Sequence, residues 1–399
     1  MKIVGFIFNE SIVHWNGGIN YYRNLFKILE NSKRYKILLF VSPKIKEKIQ
    51  KEYKNIKIIE SKLFSLTSLN NMLLRSCLYF FGKSIFVERL LAKYDIDILS
   101  HFDVYFLNKL SKIPSCGWIT DFQAFRHPEY FNNVKNAMKH MKVYFKRIIN
   151  NSTIIFVSSF VARDDLLYYF PNTDVKKIKV LQFVTEKEGE SSKMFSSMIN
   201  SDVLNRIGVQ EKKYFVVCNQ IYAYKNHIIV LKALQKLVVI NNNKIPFKIV
   251  FTGALYDSRD SNIQNVLNDY ITEHKLENYI SFSGVLEYTD VLLLQDKSIA
   301  VIQPSFFEGW NTGVEECKNI GKKIILSDIP VHREQNPDNV VFFNPNDSDE
   351  LANILMDIFN NYNYTEEEKN RLHAQKLYDN RWGKFSNDYL SVLDSLKTF

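Results

Sequence analysis

Cysteine is scarce. Four occur in 399 residues, Cys77, Cys116, Cys218 and Cys317, and no two form a CxxC pair or join a Cys/His cluster. That spacing excludes a disulfide framework and a zinc module, and it fits a reducing cytosol. Long apolar runs are also missing. A bilayer span needs about 20 apolar residues, and the densest candidate, 63–81, is broken by Asn70, Asn71 and Arg75. Any membrane contact is therefore expected to be peripheral. The opening MKIVGFIFNESIVHW has one lysine and a short apolar run ended by Asn9 and Glu10. It reads as a first strand, not a signal peptide. Short-period repeats and low-complexity segments are absent. At 46% apolar and 24% charged residues, the chain has the composition of a globular protein, which excludes disorder and collagen.

Charge of one sign is concentrated. Residues 1–188 hold 30 Lys+Arg and 16 Asp+Glu, a net +14; residues 189–399 hold 22 and 27, a net −5. A basic half of this kind suggests an anionic partner, nucleic acid or membrane. No helix-turn-helix, zinc or RNA-stacking motif accompanies it, so no nucleic-acid partner is expected. Lys135, Lys139, Lys142 and Lys146 recur at helical spacing beside Val134, Met138, Met141 and Phe145. Such a helix suits an anionic membrane surface or, equally, a solvated face.

Short apolar runs alternate with helix-length segments. Strands are expected at 2–8, 36–41, 56–60, 97–101, 116–120, 153–158 and 178–182. Helices are expected at 19–30, 43–52, 69–93, 130–150 and 160–169. The polar stretch TEKEGESSKMFSSMINSDVL interrupts this rhythm. Strands resume at 213–218, 247–253, 279–283, 299–303, 322–327 and 340–343. Helices lie between them at 226–240, 260–275, 288–296, 312–320, 347–361 and 365–378. The pattern predicts an α/β protein of two doubly wound Rossmann-like domains. The expected divisions are 1–188, a linker at 189–205, a second domain at 206–379 and a C-terminal helix at 380–399 that returns to the first domain. Two such sheets facing each other would form a cleft, with ligands beyond the carboxyl ends of the strands.

Residues just after strands therefore carry the chemistry. In VIQPSFFEGWNTGVEECKNIGKKIILSDIPVHRE (301–334) a strand ends at Gln303 and a helix starts after Asn311. A helix start offers free N–H groups and partial positive charge to a diphosphate. Gly309 and Gly313 permit close backbone approach. Glu308 and Glu316 are eight residues apart, which lets one carboxylate reach a sugar and the other a ribose. Glu315 and Glu316 also read as solvated first-turn glutamates. In VCNQIYAYKNH (217–227), Lys225 follows a strand, where a lysine neutralises a leaving diphosphate. A lone lysine at such a place is more often a surface lysine. Gly17–Gly18, after the first strand, would bring a loop backbone to the diphosphate and acceptor, or simply form a tight turn. Asp95-Ile96-Asp97 precedes a buried strand and reads as a turn, not a metal site. His101 reads as structural. Asp-Ser-Asp at 347–349 reads as a helix cap.

Pro304, Ser305, Glu308, Gly309, Glu316, Gly321 and Ser327–Asp328 together resemble the donor-binding signature of retaining GT-B glycosyltransferases of family four. IPVHRE (329–334) and FFNPND (342–347) are similar too, and GWITDFQAFRHPEYF (117–131) resembles a bacterial polysaccharide-building branch. The resemblance implies that Glu308 contacts the transferred sugar and Glu316 the ribose. It implies that the backbone of Trp310, Asn311, Thr312 and Gly313 faces the diphosphate. Lys225 and Asn219 would meet the leaving group, with Asn219 standing where the family often has arginine. Thr252–Gly253 would line the same crevice. Asp121 would orient the acceptor hydroxyl, with His127 in place of the histidine that relatives carry at Thr120. The implied reaction is retaining transfer from a nucleotide-diphospho-sugar, without metal or cofactor, to a glycan or lipid-linked glycan. The implied setting is O-antigen or capsule assembly in the cytoplasm, at the inner membrane face. A catalytically inactive GT-B-like partner in such an assembly is the alternative.

Overall fold

The structure is a computed structural model that describes residues 1–82, 85–102, 113–131, 134–186, 200–254 and 262–396. It divides into two compact units. The first comprises Met1–Phe122, Met138–Thr185 and Arg381–Phe399; the second comprises Gln123–Ala137 and Glu186–Asn380.

The first unit holds seven strands: β1 (Lys2–Phe8), β2 (Tyr35–Val41), β3 (Lys57–Glu60), β4 (Ile98–Ser100), β5 (Ser115–Ile119), β6 (Ile154–Val157) and β7 (Ile178–Val180). They pair in the order β3-β2-β1-β4-β5-β6-β7, parallel throughout. The second unit holds β8 (Tyr214–Cys218), β9 (Lys248–Thr252), β10 (Ile280–Gly284), β11 (Val301–Gln303), β12 (Ile324–Ser327) and β13 (Val340–Phe343). Their order is β10-β9-β8-β11-β12-β13, again parallel. Parallel strands covered by helices on both faces must be apolar on both faces. That is why runs such as YFVVC and IILS are almost wholly buried and why strand positions were legible. Every strand lies within two residues of its expected range.

In the second sheet the chain builds outward from β8 to β10, then crosses back to place β11 on the other side of β8. The strand order reverses between β8 and β11, and that switch point is where doubly wound sheets hold ligands.

Several helices differ from expectation. The 69–93 segment is two helices, Leu69–Phe81 and Ile85–Lys93, because Gly82 ends the first in the left-handed region at φ 62°. The segments expected at 365–378 and 380–399 are one helix, Tyr364–Ser395. It starts in the second unit and ends in the first. There Tyr389 and Leu393 are fully buried, and Tyr389 meets Ser100 at 3.0 Å. Of the expected linker, 189–199 lies outside the described residues, and Asn200–Ile207 is helical. Gln123–Ala137 associates with the second unit although it lies within the 1–188 range.

Candidate functional site

The loops after β8 and β11 converge at the switch point. After β8 the chain runs through Asn219 into a short turn, Ala223–Lys225. Asn226 then takes the left-handed conformation, φ 56°, before the helix His227–Ile240. Asparagine tolerates that region better than most residues. Its buried amide donates to the carbonyls of Pro304 (3.2 Å) and Pro345 (2.9 Å), fastening three loops together. Lys225 is thereby aimed at Glu308. Its Nζ lies 2.6 Å from Glu308 Oε1, and both side chains are largely buried. Burial disfavours the lysine charge, but the Glu308 carboxylate outweighs it and raises the Lys225 pKa. Glu308 Oε1 also accepts from Ser305 Oγ (2.7 Å) and Asn311 Nδ2 (3.3 Å).

Asn311 caps the helix Thr312–Ile320, its Oδ1 accepting from Val314 N. Its backbone exchanges hydrogen bonds with the Gln335 side chain (3.1 and 3.0 Å). Its Nδ2 also approaches His332 Nε2 at 3.4 Å. His332 is fully buried, and burial lowers its pKa. Its Nδ1 donates to the Ser327 carbonyl at 2.9 Å, leaving Nε2 as the acceptor. A neutral histidine thus orients the capping asparagine.

Gln303, at the end of β11, is fully buried. Its Oε1 accepts from Asn219 Nδ2 at 2.5 Å, while its Nε2 has no hydrogen-bond partner among the described residues. A Cβ on Gly313 would lie 2.5 Å from that nitrogen. Gly313 is therefore the residue that leaves room for the amide beneath the helix start. A Cβ on Gly253, at φ 132°, would lie 2.5 Å from the Asn219 carbonyl oxygen, so the β8 and β9 loops approach closely only with glycine there.

Glu316 has a separate environment. Its Oε2 accepts from Gln295 Nε2 at 2.7 Å, and Tyr288 is a second hydrogen-bond neighbour. Burial pushes its pKa up to about 7. Glu315 is also buried and faces Lys318 (3.3 Å) and Gln335 (3.1 Å). The solvated reading of both glutamates is overturned: the start of this helix is packed between the loops after β11 and β12. His227 is buried too, and burial, then the Lys225 charge, lowers its pKa to about 3.

The structure thus brings together Lys225, Glu308, Asn311, Asn219 and Gly313, with Gly309, Trp310 and Thr312 on the same loop and helix start. Glu316 lies on that helix without a partner in common with Glu308. His127 belongs to the second unit, where its ring is 5.6 Å from Phe307 and its Nδ1 3.0 Å from Glu129. Asp121 follows β5 in the first unit, and Thr120 Oγ1 donates to it at 3.2 Å. Gly17 and Gly18 are not a loop. They lie in the first turn of the helix Asn16–Ser32. A Cβ on Gly18 would fall 2.3 Å from the Trp15 ring, which stacks on Trp118 at 5.4 Å. Gly18 is thus a seat for an indole. Asp97 accepts from Ile3 N at 2.7 Å, tying the turn before β4 to β1. Among the described residues, no three His, Cys, Asp or Glu side chains group as metal ligands.

Sequence reasoning missed Gln335 and Gln295, took Gln303 only as a strand end, and saw Asn226 and His332 only within motifs. Buried amides at strand ends and helix starts were the available signal.

Residues 205–376 match the family described as glycosyl transferases group 1. Among curated proteins the chain is similar to the O-antigen chain mannosyltransferase RfbU of Salmonella typhimurium strain LT2, 21% identical over 260 residues. That match spans 61% of this chain and 63% of the relative, less than two thirds of its length. Among solved structures it is similar to Anabaena HepE in complex with UDP and glucose, at a TM-score of 0.70 and 16% identity, covering 99% of this chain and 100% of that one. It is also similar to WaaG, a glycosyltransferase involved in lipopolysaccharide biosynthesis, at a TM-score of 0.61 and 12% identity, covering 96% and 98%. At these identities the likeness is one of fold, and the fold is GT-B.

Proposed function

We propose that this chain, whose residues 205–376 match the glycosyl transferases group 1, moves a sugar from a nucleotide-diphospho-sugar to a hydroxyl of a glycan acceptor. The acceptor is lipid-linked, and the setting is O-antigen-like or capsular polysaccharide assembly at the cytoplasmic membrane face. The observation that carries this reading is the buried Lys225–Glu308 pair beside a helix start at the strand-order switch.

In the proposed reaction the bond from the sugar C1 to the leaving phosphate oxygen breaks. The acceptor oxygen bonds to C1 on the same face, and its proton passes to that phosphate oxygen. Products are a glycoside of retained configuration and a nucleoside diphosphate. The N–H groups at the start of Thr312–Ile320 and the Lys225 ammonium stabilise the developing phosphate charge. The free Gln303 Nε2 adds a donor beneath that helix start. Glu308 holds the sugar, Glu316 accepts from ribose hydroxyls, and Asp121 orients the acceptor. No metal takes part in this scheme, and no nucleic acid is a partner.

The test is transfer by purified protein, with the product anomer read by NMR. Lys225→Ala and Glu308→Ala should each lower the rate at least ~10²-fold, the cost of a lost charge-stabilising contact. Near-wild-type transfer by both variants, or an inverted product, would contradict the proposal. A catalytically silent GT-B-like partner is the second reading. It is favoured by Asn219, whose amide is engaged by Gln303 where relatives often carry arginine. Donor hydrolysis by the purified chain would contradict it.

A further inference from the structure

The most apolar segment of the sequence, 63–81, buries only part of its apolar side chains. In the helix Leu69–Phe81, Asn71, Leu74 and Leu78 face the protein. The Asn71 amide donates to the Leu63 carbonyl at 2.8 Å, and Ser68 caps the first turn. The opposite face carries Leu69 (76% exposed), Met72 (59%), Leu73 (60%), Tyr79 (84%) and Phe80 (73%). Leu69, Leu73 and Phe80 lie within about 40° of one another on the helical wheel. Ile85 and Phe86 of the next helix are exposed as well. A continuous apolar face of this kind marks an interaction surface.

Its charge selects the partner. From 61 to 87 the sequence has no Asp or Glu, but it has Lys62, Arg75 and Lys83. Lys62 and Arg75 are exposed. Lys44 reaches the same region, with Nζ 2.8 Å from Thr67 Oγ1 and 3.8 Å from Glu10. Exposed apolar side chains with Lys62, Arg75 and Lys44 alongside, and Glu10 as the neighbouring carboxylate, fit the headgroup region of an anionic bilayer. The basic helix Val134–Asn151 offers less. Its Lys139, Lys142 and Lys146 are exposed, but Phe145 and Ile148 are packed inside the protein. It can attract an anionic surface, but among its described residues Val143 is the one large apolar side chain that is exposed.

We infer that the outward face of Leu69–Phe81 inserts into the interface of an anionic membrane. The inference rests on the proposed function only for its purpose, delivery of the enzyme to a lipid-linked acceptor. The test is co-sedimentation of the full chain with vesicles of equal parts phosphatidylcholine and phosphatidylglycerol. Wild type should bind, and Leu73→Glu/Phe80→Glu should lose at least about tenfold in partitioning. Lys139→Glu/Lys142→Glu should bind more weakly than wild type but retain part of the interaction in high salt. Met72→Ser/Leu73→Ser, a milder change on the same face, guards against misfolding and should also weaken binding. Wild type that ignores the vesicles would overturn the inference, as would a Leu73→Glu/Phe80→Glu variant that binds normally. Self-association lost in that variant, without vesicle binding, would assign the face to a second copy and equally overturn it. Nucleotide-induced thermal stabilisation of the same variants reports on the donor site separately, so failure of one reading does not disguise failure of the other.

Discussion

At the residue scale, the site rests on buried polar groups, most of them paired, with Gln303 Nε2 the exception named above. Lys225 and Glu308 could not both be charged there alone, since an isolated buried charge costs several kcal/mol. Together, with Ser305 and Asn311 supplying further hydrogen bonds, they form a rigid charged pair. Glu316 lacks a cation and behaves differently. Burial raises its pKa to about 7. The folded protein therefore keeps a proton that the unfolded chain releases at the ordinary carboxylate value. Its favourable contribution is complete below that value and is lost as pH rises through about 7. A rise from 4.5 to about 7 corresponds to roughly 3 kcal/mol. Glu316→Gln should remove this slope, so melting curves of variant and wild type should diverge from about pH 5 to about pH 8, with the variant the more stable at the upper end. Parallel curves would show that Glu316 is not protonated in the folded state. Lys225, Glu308 and Gly313 were legible in the sequence because each sits just after a strand or at a helix start. Glu315 was not, because a first-turn glutamate says nothing about which loop covers it; here that loop brings Gln335. Gly18 was misread because sequence alone cannot show that the Trp15 indole folds back over the helix.

At the element scale, strands were easy to read because parallel strands are continuously apolar. The C-terminal helix was harder. Residues 379–383, Asp-Asn-Arg-Trp-Gly, look like a break, yet Tyr364–Ser395 is continuous. A glycine inside a helix costs only about 1 kcal/mol, and Gly383 has open space around it. The helix is held at its start by a buried charge cluster. Glu367 Oε1 lies 2.6 Å from Lys212 Nζ and 2.8 Å from Lys322 Nζ, and Tyr362 donates to its other oxygen at 2.6 Å. Burial alone would raise the Glu367 pKa, but the two lysines hold it down to about 2. Burial, then Lys212, lowers that of Lys322. Glu367→Gln leaves two lysines together without their anion. It should destabilise the protein by roughly 3–5 kcal/mol, as other broken buried pairs do. Denaturant unfolding checks this, and an unchanged midpoint would show that the lysines find solvent. Gly321 closes the same region: its φ is 67°, and a Cβ would lie 2.3 Å from the Asn370 carbonyl oxygen of this helix.

At the scale of the whole molecule, two parallel sheets divide the work. The second unit carries the helix start and the Lys225–Glu308 pair, despite the net −5 of residues 189–399. Local devices bind an anion regardless of net charge. The basic first half, net +14 over residues 1–188, has cations near an exposed apolar helix face and on the helix Val134–Asn151, the distribution that the proposed membrane contact uses. No described helix is long and apolar enough to cross a membrane. The two sheets and the place of the candidate site at the second sheet's switch point were legible in strand rhythm and loop position. The association of Gln123–Ala137 with the second unit was not, because it depends on contacts such as Tyr130 with Tyr224 that no local pattern encodes. The central claim, that the second unit binds a nucleoside diphosphate through Lys225 and the start of Thr312–Ile320, is tested most directly by thermal denaturation with a panel of nucleoside diphosphates. One base should stabilise wild type selectively, by about 2.7 kcal/mol when the nucleotide is at a hundred times its dissociation constant, and Lys225→Ala should lose most of that gain. No response to any nucleotide, or an equal response in Lys225→Ala, would contradict the account.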